Sequence, residues 1–240
     1  MCRNCDSRGL SRRQIMCAAT ALVAASAIGI PPAVAAEPAA DPPNAIPPDD
    51  AFDQLKQGNA HYLANEPVDQ EDYAVNRAAR AQSQYPIAAI LACSDSRVPP
   101  EIVFDQGPGD LFIVRDAGNV VTTIGLASME YAVKILGVPL IFVLGHSNCG
   151  AVSAALKAST SREQLPGHLP DLVKLIEPAV VAAHGKHSSD FLATSIEENV
   201  RLGMKRMKDE SDIIGEAVSG GKVAIKGGVY NIATGKIAMV

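Results

Sequence analysis

The chain has 240 residues, 48% of them hydrophobic and 20% charged, with a formal charge of −5, which suits one globular domain with a substantial core. The acidic balance excludes a phosphate-tracking nucleic-acid binder, which needs a basic face. Aromatics at 4% with no Trp leave little for stacking platforms, and five unevenly spread cysteines do not make a disulfide-stapled miniprotein.

The N-terminus reads as an export signal. Ser11-Arg12-Arg13-Gln14 precedes an apolar run from Ile15 to Ile30, and Ala33-Val34-Ala35 supplies the small residues a signal peptidase needs. The paired arginines resemble the twin-arginine type, which exports folded proteins to the periplasm or the outside. The run is short and a cleavage site follows it, so a cleaved leader over residues 1–35 is expected, with no stable membrane anchor afterwards. Residues 36–48 hold Pro38, Pro42, Pro43, Pro47 and Pro48 and are expected to form an extended tether. Cleavage deletes four Arg and one Asp from totals of 21 basic and 26 acidic residues, leaving 17 against 25, about −8. It also deletes Cys2, Cys5 and Cys17, so only Cys93 and Cys149 remain in the domain over 49–240.

In that domain Asp49 or Asp50 is expected to cap a helix carrying Phe52, Leu55 and Leu63, and a second helix is expected over 69–83. The runs 87–92, 111–114 and 140–144 are apolar without alternation, the pattern of strands buried on both faces. Helices are expected over 124–136, ending at Gly137, from Gly150 to Lys157, and over 190–208. Residues 223–230 and 236–240 read as a closing hairpin. The fold class is therefore α/β, a mostly parallel central sheet flanked by helices with an antiparallel C-terminal edge strand. His61, His168, His184 and His187 have no thiol or acid pattern around them and read as solvated positions, with 166–170 and 184–187 as loops between helices.

The chemistry concentrates after two strands. Cys93-Ser94-Asp95-Ser96-Arg97 follows the first, and Gly145-His146-Ser147-Asn148-Cys149-Gly150 follows the third. The carboxyl ends of neighbouring strands in an open α/β sheet form a ligand crevice. Two thiolates and one imidazole with an open fourth position are a catalytic zinc set, and soft sulfur donors select zinc over calcium or magnesium. Cys93, His146 and Cys149 are thus the expected ligands of one Zn2+ per subunit. Extended alternation over 93–97 would place Asp95 beside the metal and Arg97 beside Asp95. Arg97 then keeps Asp95 ionised as an acceptor. The carboxylate either orients a zinc-bound hydroxide or occupies the fourth position and shuts the site.

C-x-D-x-R followed by H-x-x-C within Gly-His-Ser-Asn-Cys-Gly-Ala resembles the β-class carbonic anhydrases. So do Gly109-Asp110-Leu111-Phe112, Glu130-Tyr131-Ala132-Val133 and Gly228-Val229-Tyr230, across nearly all of 50–240. The resemblance implies reversible hydration of carbon dioxide to bicarbonate and a proton, with Asp95 and Arg97 as the catalytic dyad. It implies a homodimer or dimer of dimers, with an extended N-terminal helix for dimer contacts. It also implies an apolar substrate pocket lined from both subunits, to which Gln84, Phe112 and Tyr131 correspond, with Ala117 and Gly150 small beside the metal. A bicarbonate-inhibited subgroup carries Trp where Ile90 stands here, although Arg115 and Tyr230 match that subgroup. The family pattern thus departs at this point, and water is the expected fourth ligand at neutral pH.

Three other functions fit the same residues less well. Relatives of the fold hydrolyse carbonyl sulfide or carbon disulfide, and a non-catalytic zinc or bicarbonate-binding module would have no use for the Asp95–Arg97 pair. A cysteine–histidine hydrolase built on Cys149 and His146 would leave Cys93 without a role.

Overall fold

Ala88–Cys93, six residues with no side chain that needs water, form the strand β1, buried along its whole length. Leu140–His146 form β3 in the same way. A strand with no exposed residue needs cover on both sides, and a computed structural model of the protein supplies it. The structure describes residues 42–66, 77–78, 80–161, 165–186 and 188–240. The leader and the start of the tether, and most of the helix expected over 69–83, lie outside the described residues.

The other strands are β2 (Leu111–Asp116), β4 (Ala224–Tyr230) and β5 (Ile237–Met239). The sheet order is β2-β1-β3-β4-β5. The first four are parallel, and β5 returns antiparallel to β4. This is the expected class, edge strand included. Described helices are α1 (Pro48–Ala64), α2 (Pro100–Val103), α3 (Thr123–Lys134), α4 (Gly150–Ser161), α5 (Leu169–His184), α6 (Phe191–Asp209) and α7 (Asp212–Ser219).

Alternation along β1 and β3 divides the core. Ile90, Ala92, Phe142 and Leu144 point to one face and pack with Ala51 and Leu55 of α1 and with Phe104. Ala89, Leu91, Ile141 and Val143 point to the other, against Met129 of α3, Val200 and Met207 of α6 and Ile214 of α7. A third cluster surrounds Cys93 and Cys149 with Val120, Val152, Ile176, Val180 and Ile196. α6 lies very close to the sheet: a Cβ built on Gly145 would be 2.6 Å from Val200 Cγ2, and one on Gly227 2.6 Å from Val200 Cγ1. Glycine at both positions is what lets the helix approach.

Several helix starts carry side-chain caps. Thr122 Oγ1 accepts from Gly125 N at 3.0 Å, Asp190 Oδ1 from Ala193 N at 2.9 Å and Ser211 Oγ from Ile214 N at 3.2 Å. Asp49 and Asp50 are not the cap of α1. Pro47 holds that place, Pro48 begins the helix, and the two carboxylates sit in its first turn, where the helix dipole favours them. Gly137 does take a left-handed conformation, at φ +67, but α3 proper ends at Lys134. His184 is the last residue of α5 rather than a loop residue, with its ring 4.8 Å from that of Phe191. His187 lies outside the described residues.

The last residues of the tether are docked on the body. Asn44 is buried, and its Nδ2 donates to Pro86 O at 3.1 Å and to Leu136 O at 2.8 Å.

Candidate metal centre

β1 ends at Cys93 and β3 at His146, and both strands run parallel, so the two residues leave the same edge of the sheet. Between His146 and α4 the chain turns through Asn148 at φ 55, which brings Cys149 back beside the histidine. One donor atom from each of Cys93, His146 and Cys149 lies within 4.8 Å of the other two, and all three residues are buried.

These residues fit zinc. A tetrahedral zinc with sulfur and nitrogen donors spaces its ligands roughly 3.5–4 Å apart, so the cluster needs little adjustment to close on the ion. His146 Nδ1 lies 2.9 Å from Ser147 O, which assigns the proton to Nδ1 and leaves a lone pair on Nε2. Nε2 is buried and has no hydrogen-bond partner, as a nitrogen reserved for a metal would be. Between the thiols, the hydrogen bond from Cys149 draws the Cys93 thiol down to about 4. Burial opposes this, while His146 and the amides of Gly118 and Asp95 assist it. Cys149 is pushed up by the same partnership and then by burial. Burial alone would lower the pKa of His146, but the Cys93 sulfur and the Ser147 carbonyl outweigh it and raise it.

Asp95 sits on the rim, with Oδ2 3.8 Å from His146 Nε2. Arg97 reaches it, though not by the expected extended alternation. Residues 96–97 form a turn: Val98 N donates to Asp95 O at 3.1 Å. Arg97 N donates to Asp95 Oδ1 at 3.0 Å, because an Asp side chain readily folds onto the amide two residues on. The guanidinium then closes with Nε on Oδ1 at 2.9 Å and Nη2 on Oδ2 at 2.7 Å. That grip, chiefly the side-chain bonds, holds the carboxyl well below the usual carboxylate range.

Three supports were not legible as such in the sequence. Arg115 Nε donates to Cys93 O at 3.0 Å and Nη2 to Asp95 O at 2.6 Å, so this guanidinium braces the turn that joins ligand to dyad. Gly118 N donates to Cys93 Sγ at 3.1 Å. Asn199 Nδ2, from α6, donates to Gly118 O at 2.7 Å. Tyr230 pairs in register with His146, and its hydroxyl lies 3.0 Å from that of Tyr62 on α1; burial followed by that bond pushes its pKa up to about 12.

The expected pocket residues are not assembled with the cluster. Gln84 precedes β1 and lines a surface depression of about 670 Å³ with Arg80, Pro108 and Gly109, before β2. Phe112 pairs in register with Ala89 and stacks on Tyr131 with centroids 6.2 Å apart. The whole of β1, roughly 17 Å at about 3.3 Å per residue, therefore separates the Gln84 end of the sheet from Cys93. Gly150 does adjoin the cluster, and a Cβ on it would enter open space.

Known proteins resemble this chain in sequence and in fold. The family model described as carbonic anhydrase matches residues 88–237. The chain is 40% identical over 192 residues to carbonic anhydrase 2 of Mycobacterium tuberculosis, covering 79% of this chain and 91% of that protein. It is 38% identical over 192 residues to the carbonic anhydrase of Mycolicibacterium smegmatis, with the same coverage. Among solved structures, the Coccomyxa β-carbonic anhydrase in complex with acetazolamide aligns with a TM-score of 0.62 at 26% identity, over 78% of this chain and 84% of that one. The chain belongs to the carbonic anhydrase family, in its β class.

Proposed function

We propose that the protein catalyses the reversible hydration of carbon dioxide to bicarbonate and a proton, with one zinc ion held by Cys93, His146 and Cys149. The observation that carries this is the buried three-donor cluster with an ionised carboxylate on its rim. Zinc in such a site lowers the pKa of a bound water to about 7, which supplies a nucleophile near neutral pH. Asp95 would serve as the acceptor that orients that nucleophile toward the carbon of the substrate. Arg97, by engaging both carboxylate oxygens, restrains Asp95 from turning in to become a fourth ligand. Ser147 O fixes the tautomer of His146. The relatives named carbonic anhydrase favour carbon dioxide over carbonyl sulfide or carbon disulfide.

The pocket for the substrate is completed by a second copy of the chain in this reading. Gln84, Phe112 and Tyr131 serve the cluster of the partner subunit: Gln84 donates to a bicarbonate oxygen, while the two rings exclude water from a small neutral molecule. The exposed Ile124 and Tyr131 on α3 and Ile135 just after it, with β2 at the edge of the sheet, support burial in a homodimer. α1 adds to its contacts, and dimers can pair further. Gly150 keeps the approach to Cys149 clear. The mature protein works in the periplasm or outside the cell after removal of residues 1–35, a reading supported by the twin arginine and the Ala33-Val34-Ala35 site. No helix among the described residues is long and apolar enough to cross a membrane.

Stopped-flow hydration of carbon dioxide, with carbonyl sulfide and carbon disulfide run alongside and zinc quantified on the same sample, tests the activity. The expected result is one zinc per chain and turnover of carbon dioxide. A zinc-loaded sample without that turnover overturns it.

A further inference from the structure

We propose that Asn199, on α6, is a positioning residue for the metal centre: it holds the Gly118 amide in line with the Cys93 sulfur, and thereby sets how tightly and with what polarity that thiolate binds zinc. The inference rests on the zinc reading of the Cys93–His146–Cys149 cluster and goes beyond its ligands and dyad.

The relay has two short links. Asn199 Nδ2 donates to Gly118 O at 2.7 Å, and Gly118 N donates to Cys93 Sγ at 3.1 Å. Both bonds are buried, and Asn199 is 4% exposed. Gly118 sits in the one-turn 3-10 segment Ala117–Asn119 with φ 74 and ψ 19, a left-handed conformation natural to glycine. It has no room for a side chain either: a Cβ there would lie 2.8 Å from Ile176 Cδ1 and 3.0 Å from Ala151 Cβ. The next residue, Asn119, is also left-handed, at φ 43. Two consecutive left-handed residues turn the chain sharply here, and the Asn199 side chain anchors the Gly118 carbonyl within that turn.

The donor is mounted on something rigid. Val200, the neighbour of Asn199, touches the sheet at Gly145 and Gly227, and Gly203 lies against Val143. Gly145 immediately precedes His146, so α6 is referenced to the strand that delivers the histidine ligand, while Asn199 reaches the turn that steadies the cysteine ligand. The helix thus ties Cys93 to His146 through groups that never touch the ion. An amide donating to a thiolate withdraws charge from the sulfur, and partners of this kind commonly alter metal affinity 10–100-fold.

The test compares the parent with Asn199→Ala, Asn199→Ser and Ser195→Ala as full-length zinc-loaded proteins. Ser195 is buried one turn earlier on α6 and bonds only to Phe191 O within the helix, so its loss perturbs the helix without touching the turn. Zinc affinity is read by competition with a chelator, and the cobalt-substituted forms are read by their thiolate-to-cobalt charge-transfer band. Whichever Asn199 variants fold are expected to bind zinc about tenfold more weakly or worse and to shift that band, with Ser195→Ala unchanged in both. Parent-like zinc affinity and an unshifted band in either Asn199 variant would overturn the proposal, even where thermal stability falls. A parent that takes up no zinc would instead overturn the metal reading itself.

Discussion

Arg97 closes on Asp95 from its own backbone as well as from its guanidinium, at 3.0 Å through N and at 2.9 and 2.7 Å through Nε and Nη2. A side chain that is largely exposed is thereby held in a single geometry, because the turn shortens the loop that its four-bond stem must close. Removing the charge of Asp95 while keeping its shape isolates the carboxylate. Asp95→Asn is expected to retain zinc and to lose hydration activity at neutral pH by on the order of a hundredfold. Stopped-flow rates normalised to zinc content check this; undiminished turnover would remove Asp95 from the mechanism.

Cys149 offers a first-sphere test. Cys149→Ser replaces a thiolate by a poorer donor inside the buried cluster with Val152 and Ile176. Zinc affinity is expected to fall more than about a hundredfold, beyond what an outer partner contributes, and thermal stability is expected to fall with it. Metal analysis after dialysis against a chelator, paired with a melting curve, measures both. A full zinc complement would mean that the sulfur is not a ligand.

The proposed sharing of the pocket between two copies of the chain can be tested by complementation. Gln84→Leu and Asp95→Asn chains, each impaired alone, are co-expressed. A mixed dimer whose Gln84 serves the opposite cluster contains one intact site, so about a quarter of the parent activity is expected from random pairing. Activity no greater than the average of the two separate variants would place Gln84 with the cluster of its own chain.

The seat of α6 on the sheet predicts a stability effect. Gly145→Ala introduces a methyl 2.6 Å from Val200 Cγ2 and is expected to cost about 1–3 kcal/mol through overpacking. Denaturant unfolding measures it, and pairing with Val200→Ala should recover part of the loss, since the two changes share one contact. A neutral Gly145→Ala would show that the helix can lift without penalty.

Glu198, one residue before Asn199, gives a pH signature. Burial would raise its pKa, but hydrogen bonds from Lys186 and Arg201 outweigh that and hold it below the ordinary value. A depressed folded-state pKa contributes stability above the unfolded value, near 4.3, and that contribution disappears as pH falls through the folded value. Glu198→Gln is expected to be less stable than the parent by about 1 kcal/mol at pH 7, a modest figure because both cations are partly in water. The two proteins should converge as acid protonates Glu198. Parallel stability curves from pH 7 down to the acid transition would exclude the carboxylate as the source.

The buried strands and the ligand set were legible because each leaves a local mark. Ala88–Ala92 and Leu140–Leu144 are unbroken apolar runs; Cys93 closes the first, and His146 and Cys149 come shortly after the second. What was not legible depends on distance or on a competing local bond. Asn199 meets Gly118 across 81 residues, and nothing around an asparagine in an amphipathic helix marks such a partner. Asp95 and Arg97 were identified correctly as neighbours, yet the Asx-type bond to the Arg97 amide replaced the extended path expected over 93–97. α5 carries Pro178 in its interior, which costs the helix a backbone hydrogen bond. The helix persists because Ile176, Ala179, Val180 and Ala183 are buried against neighbours. α7, eight residues long, is too short for its periodicity to stand out. Gln84 and Phe112 could be named only by resemblance, because no local pattern ties either of them to the cluster.

Asn44 joins the carbonyl of Pro86, just before β1, to that of Leu136, just after α3. Asn44 is therefore fixed at the end of the sheet remote from Cys93 in the same chain, and it ties the start of β1 to the connection that leads into β3. Trimming past Asn44 would strip both carbonyls of this donor, so a shortened catalyst should keep the chain from residue 42 onward.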